Sequence, residues 1–362
     1  MRRAFEAAAR GEGSGILVSG APSVGKTALI EELRPVITAR HRWFVYGKVD
    51  QFRHDAVSGP IIQAIRGLGR MLLAESPVEV AAPRACILAA LGERVVRHVL
   101  AVAEARHYEP ATSQVRHMLS RTSLHWFGEL ELVADHAKRA RLGLLLGGEL
   151  HLASFTYCTT LAMVLEIAPV IEHHEAETDL AVAYGMRTGK RQSATTYIVF
   201  RRLLRALRGQ TESPGSFYDA TFDEARRLAT LAANRKAEAY LHTYSALTAA
   251  SLGASLIHHA AAAMDLRGHL DGFYRIALAY MLQGLAVARR LRGAAGSKQA
   301  ALRTEFDTCR MWLAQRAADA PGNYLHSVHL FDAGIAWASN DYWVAQCAFD
   351  AGITLTHRVH RP

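Results

Sequence analysis

The sequence predicts a mostly α-helical chain: a short α/β segment at the amino terminus, then a long helical array. Three observations predict it. An apolar run, Ile16-Leu17-Val18-Ser19, enters a glycine-bounded turn that opens onto an amphipathic stretch. The run "RWFVYGKVD" (Arg42 to Asp50), with Val45 set among aromatic and aliphatic neighbours and Gly47 at its end, reads as a second short strand. Beyond about Arg106 no strand pattern follows, and apolar residues recur at helical spacing between Gly, Pro and polar breaks.

The elements follow in order. A helix is expected from about Lys26 to Arg40, then the strand at Arg42, then helices over Ser58–Glu75 and Pro77–Leu100. Pro60 suits a first-turn position, and Ser76-Pro77 marks the break between those two helices. The array then reads as helices over Thr112–Leu124, Gly128–Leu146, Leu150–Ala168, Val170–Arg187, Ser193–Arg208, Phe222–Ala233, Lys236–Leu252, Gly272–Arg292, Ser297–Ala318, Tyr324–Ala338 and Tyr342–His357. Short breaks between such helices predict antiparallel hairpins stacked side by side, and the many alanines permit close packing. No clean repeat of 34 residues is present, so the array is expected to be a degenerate, TPR-like solenoid. Only Gly209 to Ala225 reads as a long loop. The division expected is residues 1–100 for the α/β segment and 101–362 for the array.

Composition narrows the class. Half of the 362 residues are apolar and 21% are charged, a globular balance rather than a disordered one. No uninterrupted apolar run approaches the roughly 18 residues of a membrane span, and "MRRAFEAAARGEG" lacks the apolar core of a signal peptide. Cys86, Cys158, Cys309 and Cys347 lie far apart, which suits free thiols in a reducing cytoplasm. The net charge is +9, yet only six of the 42 basic residues are lysines. An Arg- and Ala-rich bias of this kind reflects base composition as readily as nucleic-acid binding. The densest basic cluster, Arg201, Arg202, Arg205 and Arg208, is read first as a solvated face or acidic-partner surface.

The turn after the first strand reads Gly20-Ala21-Pro22-Ser23-Val24-Gly25-Lys26-Thr27, the G-x-x-x-x-G-K-[ST] phosphate loop in its strand-to-helix setting. Glycines at both ends let successive backbone N–H groups point into one anion nest. Lys26 is expected to reach the β- and γ-phosphates of ATP, and Thr27 to offer its hydroxyl to Mg²⁺. Hydrolysis further needs a carboxylate ending a neighbouring strand. The nearest patterns, "LELVAD" ending at Asp135 and "LAMVLE" ending at Glu166, both fall within helical periodicity. Two strands also make a small sheet for a parallel fold covered on both faces.

These residues resemble a family. The runs "AFEAAARGEGSGILVSGAPSVGKTALIEEL", "GKVDQFRHD" and "LLAESPVEVAAPRACILAALGE" resemble the start of the AAA-type, STAND-like ATPase domain of large bacterial signalling proteins. Those proteins join a serine/threonine kinase, this ATPase, a TPR-like region, a GAF domain and a sensor histidine kinase. The runs "GGELHLASFTY", "RALRGQTESPGSFYDATFDEA", "APGNYLHSVHLFDAGIAW" and "YWVAQCAFDAGI" resemble the same family's helical region. The family's Walker B strand and its kinase and GAF modules have no counterpart here, and Ser23 stands where the family usually has Gly. The resemblance implies an internally deleted relative, joined between about Gly92 and Tyr108.

Two functions are therefore expected. The first is an ATP-binding regulatory module with little or no hydrolysis, whose helical array engages a protein partner in the cytoplasm. The second is a helical interaction scaffold with a vestigial, non-binding loop. Neither a membrane nor nucleic acid is an expected partner. Among the 18 histidines, His173 and His174 with Glu177, and His357 with His360, have spacings a metal could use, but no third ligand is assignable. Trp126, Phe127, Trp312, Trp337, Tyr342 and Trp343 are expected to pack the helical core.

Overall fold

Near the amino terminus the expected single helix is two. α1 spans Lys26–Glu31 and α2 spans Leu33–Thr38, with Glu32 between them. Pro35 explains the break: it has no N–H to give the Glu31 carbonyl four residues back, and its ring crowds that carbonyl. In the first turn of a new helix the missing donor costs nothing, so the chain restarts at Leu33. The computed structural model describes residues 25–38, 94–189, 191–220, 223, 234–252 and 256–358. The expected strands at Ile16–Ser19 and Arg42–Asp50, and the helices expected over Ser58–Glu75 and Phe222–Ala233, lie outside the described residues. So does the helix expected over Pro77–Leu100, except at its end, where a helix runs over 94–105.

The chain divides into two units, Met1–Leu88 and Ala89–Pro362. Every regular element described in the second is a helix, with no β-strand among the described residues. After α3 (94–105) come α4 (Ala111–Thr122), α5 (Leu130–Leu146), α6 (Leu150–Ile167), α7 (Ile171–Thr188) and α8 (Arg191–Leu207). Then follow α9 (Arg235–Leu252), α10 (Leu256–Asp265), α11 (Arg275–Leu291), α12 (Gly296–Asp319), α13 (Pro321–Ala338) and α14 (Tyr342–Arg358). Short 3₁₀ turns at Leu124–Trp126 and Arg267–His269 lead into α5 and α11. α13 starts as its sequence dictates, with Pro321 in its first turn. α10 is an element the periodicity did not announce.

From α4 on, each helix packs against the next in the chain, apart from the 124–126 turn that links α4 to α5. Alternate pairs also touch: α4 with α6, α6 with α8, α9 with α11, and α11 with α13. Alanines fill these seams, among them the fully buried Ala137, Ala153, Ala181, Ala246 and Ala279. At Gly284 of α11 even a methyl group is too much, because a Cβ there would stand 2.1 Å from the Phe331 ring of α13. Phe331 is fully buried and meets Phe306 of α12 at 5.2 Å between ring centroids. Burial of such a ring contributes about 1.5–3 kcal/mol.

Bonds between distant parts of the chain join this neighbour-to-neighbour stacking. Asn323 Nδ2, at the start of α13, donates to the carbonyls of His125 (2.9 Å) and Gly128 (2.7 Å). The Tyr324 hydroxyl donates to the same His125 carbonyl at 2.9 Å, and its ring stacks on Trp126. Arg275 of α11 reaches the Cys158 carbonyl of α6. These contacts tie the start of α13 to the turn after α4, and α11 to α6. α6 is the one described helix long and apolar enough to cross a membrane, and Ala153, Tyr157 and Leu161 bury it in the core.

Candidate functional site

Gly25 opens α1 with φ 82° and ψ 16°, the left-handed conformation in which a side chain is strained. Nothing lies within 4 Å of where its Cβ would stand, so the requirement for glycine is conformational rather than steric. The Leu29 N–H donates to the Gly25 carbonyl at 3.0 Å, closing the first turn. Among the described residues no side chain caps the N–H groups ahead of that bond, and no acidic residue occupies the first turn. A left-handed residue followed by uncapped first-turn amides suits an anion, and Thr27 is exposed in that turn. The described part of the loop therefore suits a phosphate group. Gly20, Ala21, Pro22, Ser23 and Val24 lie outside the described residues, as does the Lys26 side chain.

Of the residues weighed for metal binding, His174 and Glu177 are engaged otherwise, and His173 is exposed. His174 is buried, its Nε2–H donating to the Leu161 carbonyl at 3.0 Å, and burial pushes it down to about 4. Glu177 is paired with Arg141 at 2.6 Å, both nearly buried. Arg141 also donates to Thr160 (2.7 Å) and lies 3.6 Å over the Tyr157 ring, which ties α5, α6 and α7 together. His357 is exposed and His360 lies outside the described residues.

A different histidine group forms where α9 meets the unannounced α10. One ligand atom from each of His242, His258 and His259 falls within 4.8 Å of the others, a spacing that could hold one metal ion. His242 and His259 already share a hydrogen bond between their Nδ1 atoms at 2.9 Å. Burial and the neighbouring imidazoles push both down to about 4, so the pair is neutral near pH 7. The signal in the sequence was His258-His259 inside "LIHHAAAAMD", legible only once that run is taken as a helix.

The basic cluster is ion-paired. Arg201 meets Asp179 at 2.7 Å, Arg202 and Arg205 share Asp219, and Arg208 joins Glu172 and Glu175 of α7. The carboxylates considered for catalysis sit on helices: Asp135 is exposed on α5 beside Arg139, and Glu166 lies on α6. Of the aromatics, Trp126 is buried and Phe127 and Trp312 pack against the core. Trp337, Tyr342 and Trp343 depart from the expectation. They are 44%, 51% and 76% exposed: Trp337 lies in the last turn of α13, and Tyr342 and Trp343 open α14, which packs mainly against α13 among the described helices. Cys158, Cys309 and Cys347 are free thiols, and Cys86 lies outside the described residues.

Comparison with protein families matches residues 1–146 to the AAA ATPase domain. The match takes in the whole phosphate loop and ends at Leu146, the last residue of α5. It supports an AAA-type P-loop ATPase at the amino terminus, a class that in general holds nucleotide with Mg²⁺. Comparison with curated proteins gives no match, and comparison with solved structures gives none.

Proposed function

We propose that the chain is an ATP-binding regulatory module whose helical array engages a protein partner, with little or no hydrolysis. The observation that carries this reading is the Gly20-to-Thr27 motif inside a span similar to the AAA ATPase domain, with Gly25 left-handed at the mouth of α1. The turn from Gly20 to Gly25, Pro22 apart, would give backbone N–H groups to the phosphates, Lys26 an ammonium, and Thr27 a hydroxyl for Mg²⁺. Bound Mg²⁺-ATP would set its phosphate charge against those N–H groups. Low hydrolysis is inferred from the missing strand-end carboxylate, since Asp135 and Glu166 belong to helices. The resemblance to multidomain signalling proteins supports a cytoplasmic signalling role. Under this reading 1–100 is the nucleotide segment and 101–362 a TPR-like array. The exposed Trp343 and Ile353 of α14 would suit a partner surface on that helix.

An equilibrium titration of the full chain with a fluorescent ATP analogue and Mg²⁺ tests this. Saturable binding is expected in the unmodified chain and its loss in Lys26→Ala, with phosphate release equal in the two. Binding that is absent, or unchanged in Lys26→Ala, overturns the reading and leaves a helical scaffold with a vestigial loop.

A further inference from the structure

Five elements of the helical unit converge on one cleft that carries positive charge and, among the described residues, no acid. Arg121 comes from the end of α4, Lys236 from the first turn of α9 and Arg275 from the start of α11, with Phe155, Tyr240 and Phe273 between them. The aromatic rings hold the cations in sequence. Arg121 lies 4.7 Å and Lys236 3.9 Å from the Phe273 centroid, while Arg275 lies 4.2 Å from the Tyr240 centroid. Phenol oxygens and a carbonyl take hydrogen bonds from Arg275: Tyr244 at 3.0 Å, Tyr240 at 3.1 Å, and the Cys158 carbonyl. These acceptors are neutral. Among the described residues no carboxylate pairs with Arg121, Lys236 or Arg275, and none lines the cleft.

Desolvated like charges repel, and a fold that gathers three of them without a counter-charge gives up stability at that point. Folded chains tolerate such an arrangement where an anion supplies the missing charge. The strain is visible in the neighbouring titratable groups. Burial, with Arg121 and Arg275 beside it, pushes Lys236 down to about 8. His117, one turn before Arg121 on α4, is pushed down to about 3 by burial and by the same Arg121 and Lys236. The cavity is small, about 40 Å³. That is room for a few waters or one compact anion, and too little for a nucleotide.

We infer that this cleft binds a small oxyanion, a phosphoryl or carboxylate group, held by Arg121, Lys236 and Arg275. The site is separate from the phosphate loop and does not depend on the nucleotide reading. Arg275 is built into the fold by its bonds to Tyr240 and Tyr244, whereas Arg121 and Lys236 are held in the cleft by ring faces alone. They are the residues to change.

The test is isothermal titration of the full chain with inorganic phosphate and, separately, acetate, at ionic strength matched with chloride. Lys26→Ala, Lys236→Gln and Arg121→Gln are titrated in parallel, each checked for folding by helical circular dichroism. Saturable binding is expected to persist in Lys26→Ala and to weaken roughly tenfold or more in each cleft variant, the loss of one charge-assisted hydrogen bond. Because it relieves repulsion, Lys236→Gln is also expected to raise the melting temperature of the unliganded chain. Preference for phosphate assigns a phosphoryl ligand, and equal or better binding of acetate a carboxylate. Saturation by neither anion, or equal binding in the cleft variants, overturns the proposal.

Discussion

His117, His125, His174, His242 and His259 are buried, and burial pushes the first two down to about 3 and the others to about 4. In the unfolded chain each would titrate near 6.5. The unfolded state therefore binds more protons between those values, so stability is full above about pH 6.5 and is lost as the pH falls toward 4. Each such group costs on the order of 1 kcal/mol per pH unit within that window. The melting temperature is expected to fall steadily from pH 7 to pH 5, and His117→Leu, whose ring nitrogens have no partner, is expected to flatten the slope. A melting temperature that holds or rises on acidification would count against neutral burial of these rings. The sequence displayed the histidines but not this role. It pointed instead to the helical spacing of His173, His174 and Glu177, where packing gives His174 to the Leu161 carbonyl and Glu177 to Arg141.

Helices were the most legible level. Leu150–Ala168 was expected and Leu150–Ile167 found, and Tyr342–His357 became Tyr342–Arg358, because long apolar stripes repeat their signal over several turns. α10 escaped because its ten residues make fewer than three turns, too short a run to repeat a helical pattern. The split of α1 from α2 at Glu32 was written in Pro35 and passed over. Small residues at seams can be placed only after packing is known, and Gly284 is the sharpest case. Gly284→Leu would drive a branched side chain into the Phe331 ring and is expected to destabilise the helical unit by about 1–3 kcal/mol. Thermal or urea unfolding checks this, and an unchanged midpoint would mean that α11 and α13 do not approach this closely.

At the scale of the whole molecule the two candidate sites differ in how a sequence reveals them. The phosphate loop is local: eight consecutive residues, and Gly25 has the backbone its position demands. The oxyanion cleft is assembled from Arg121, Lys236 and Arg275, which are far apart in sequence and meet only because α4, α9 and α11 face one interior. A charged residue on a helix reads as solvated until its neighbours are known. The cluster at Arg201 to Arg208 shows the converse, since it looked available in sequence and is neutralised by α7 and Asp219. Nucleotide held at the amino-terminal loop, and not in the helical unit, is expected to leave a local signature in hydrogen–deuterium exchange with and without Mg²⁺-ATP. Exchange is expected to slow in peptides spanning Gly20 to Glu31, and not in Lys26→Ala. Unchanged exchange in those peptides of the unmodified chain would mean that the loop holds no nucleotide.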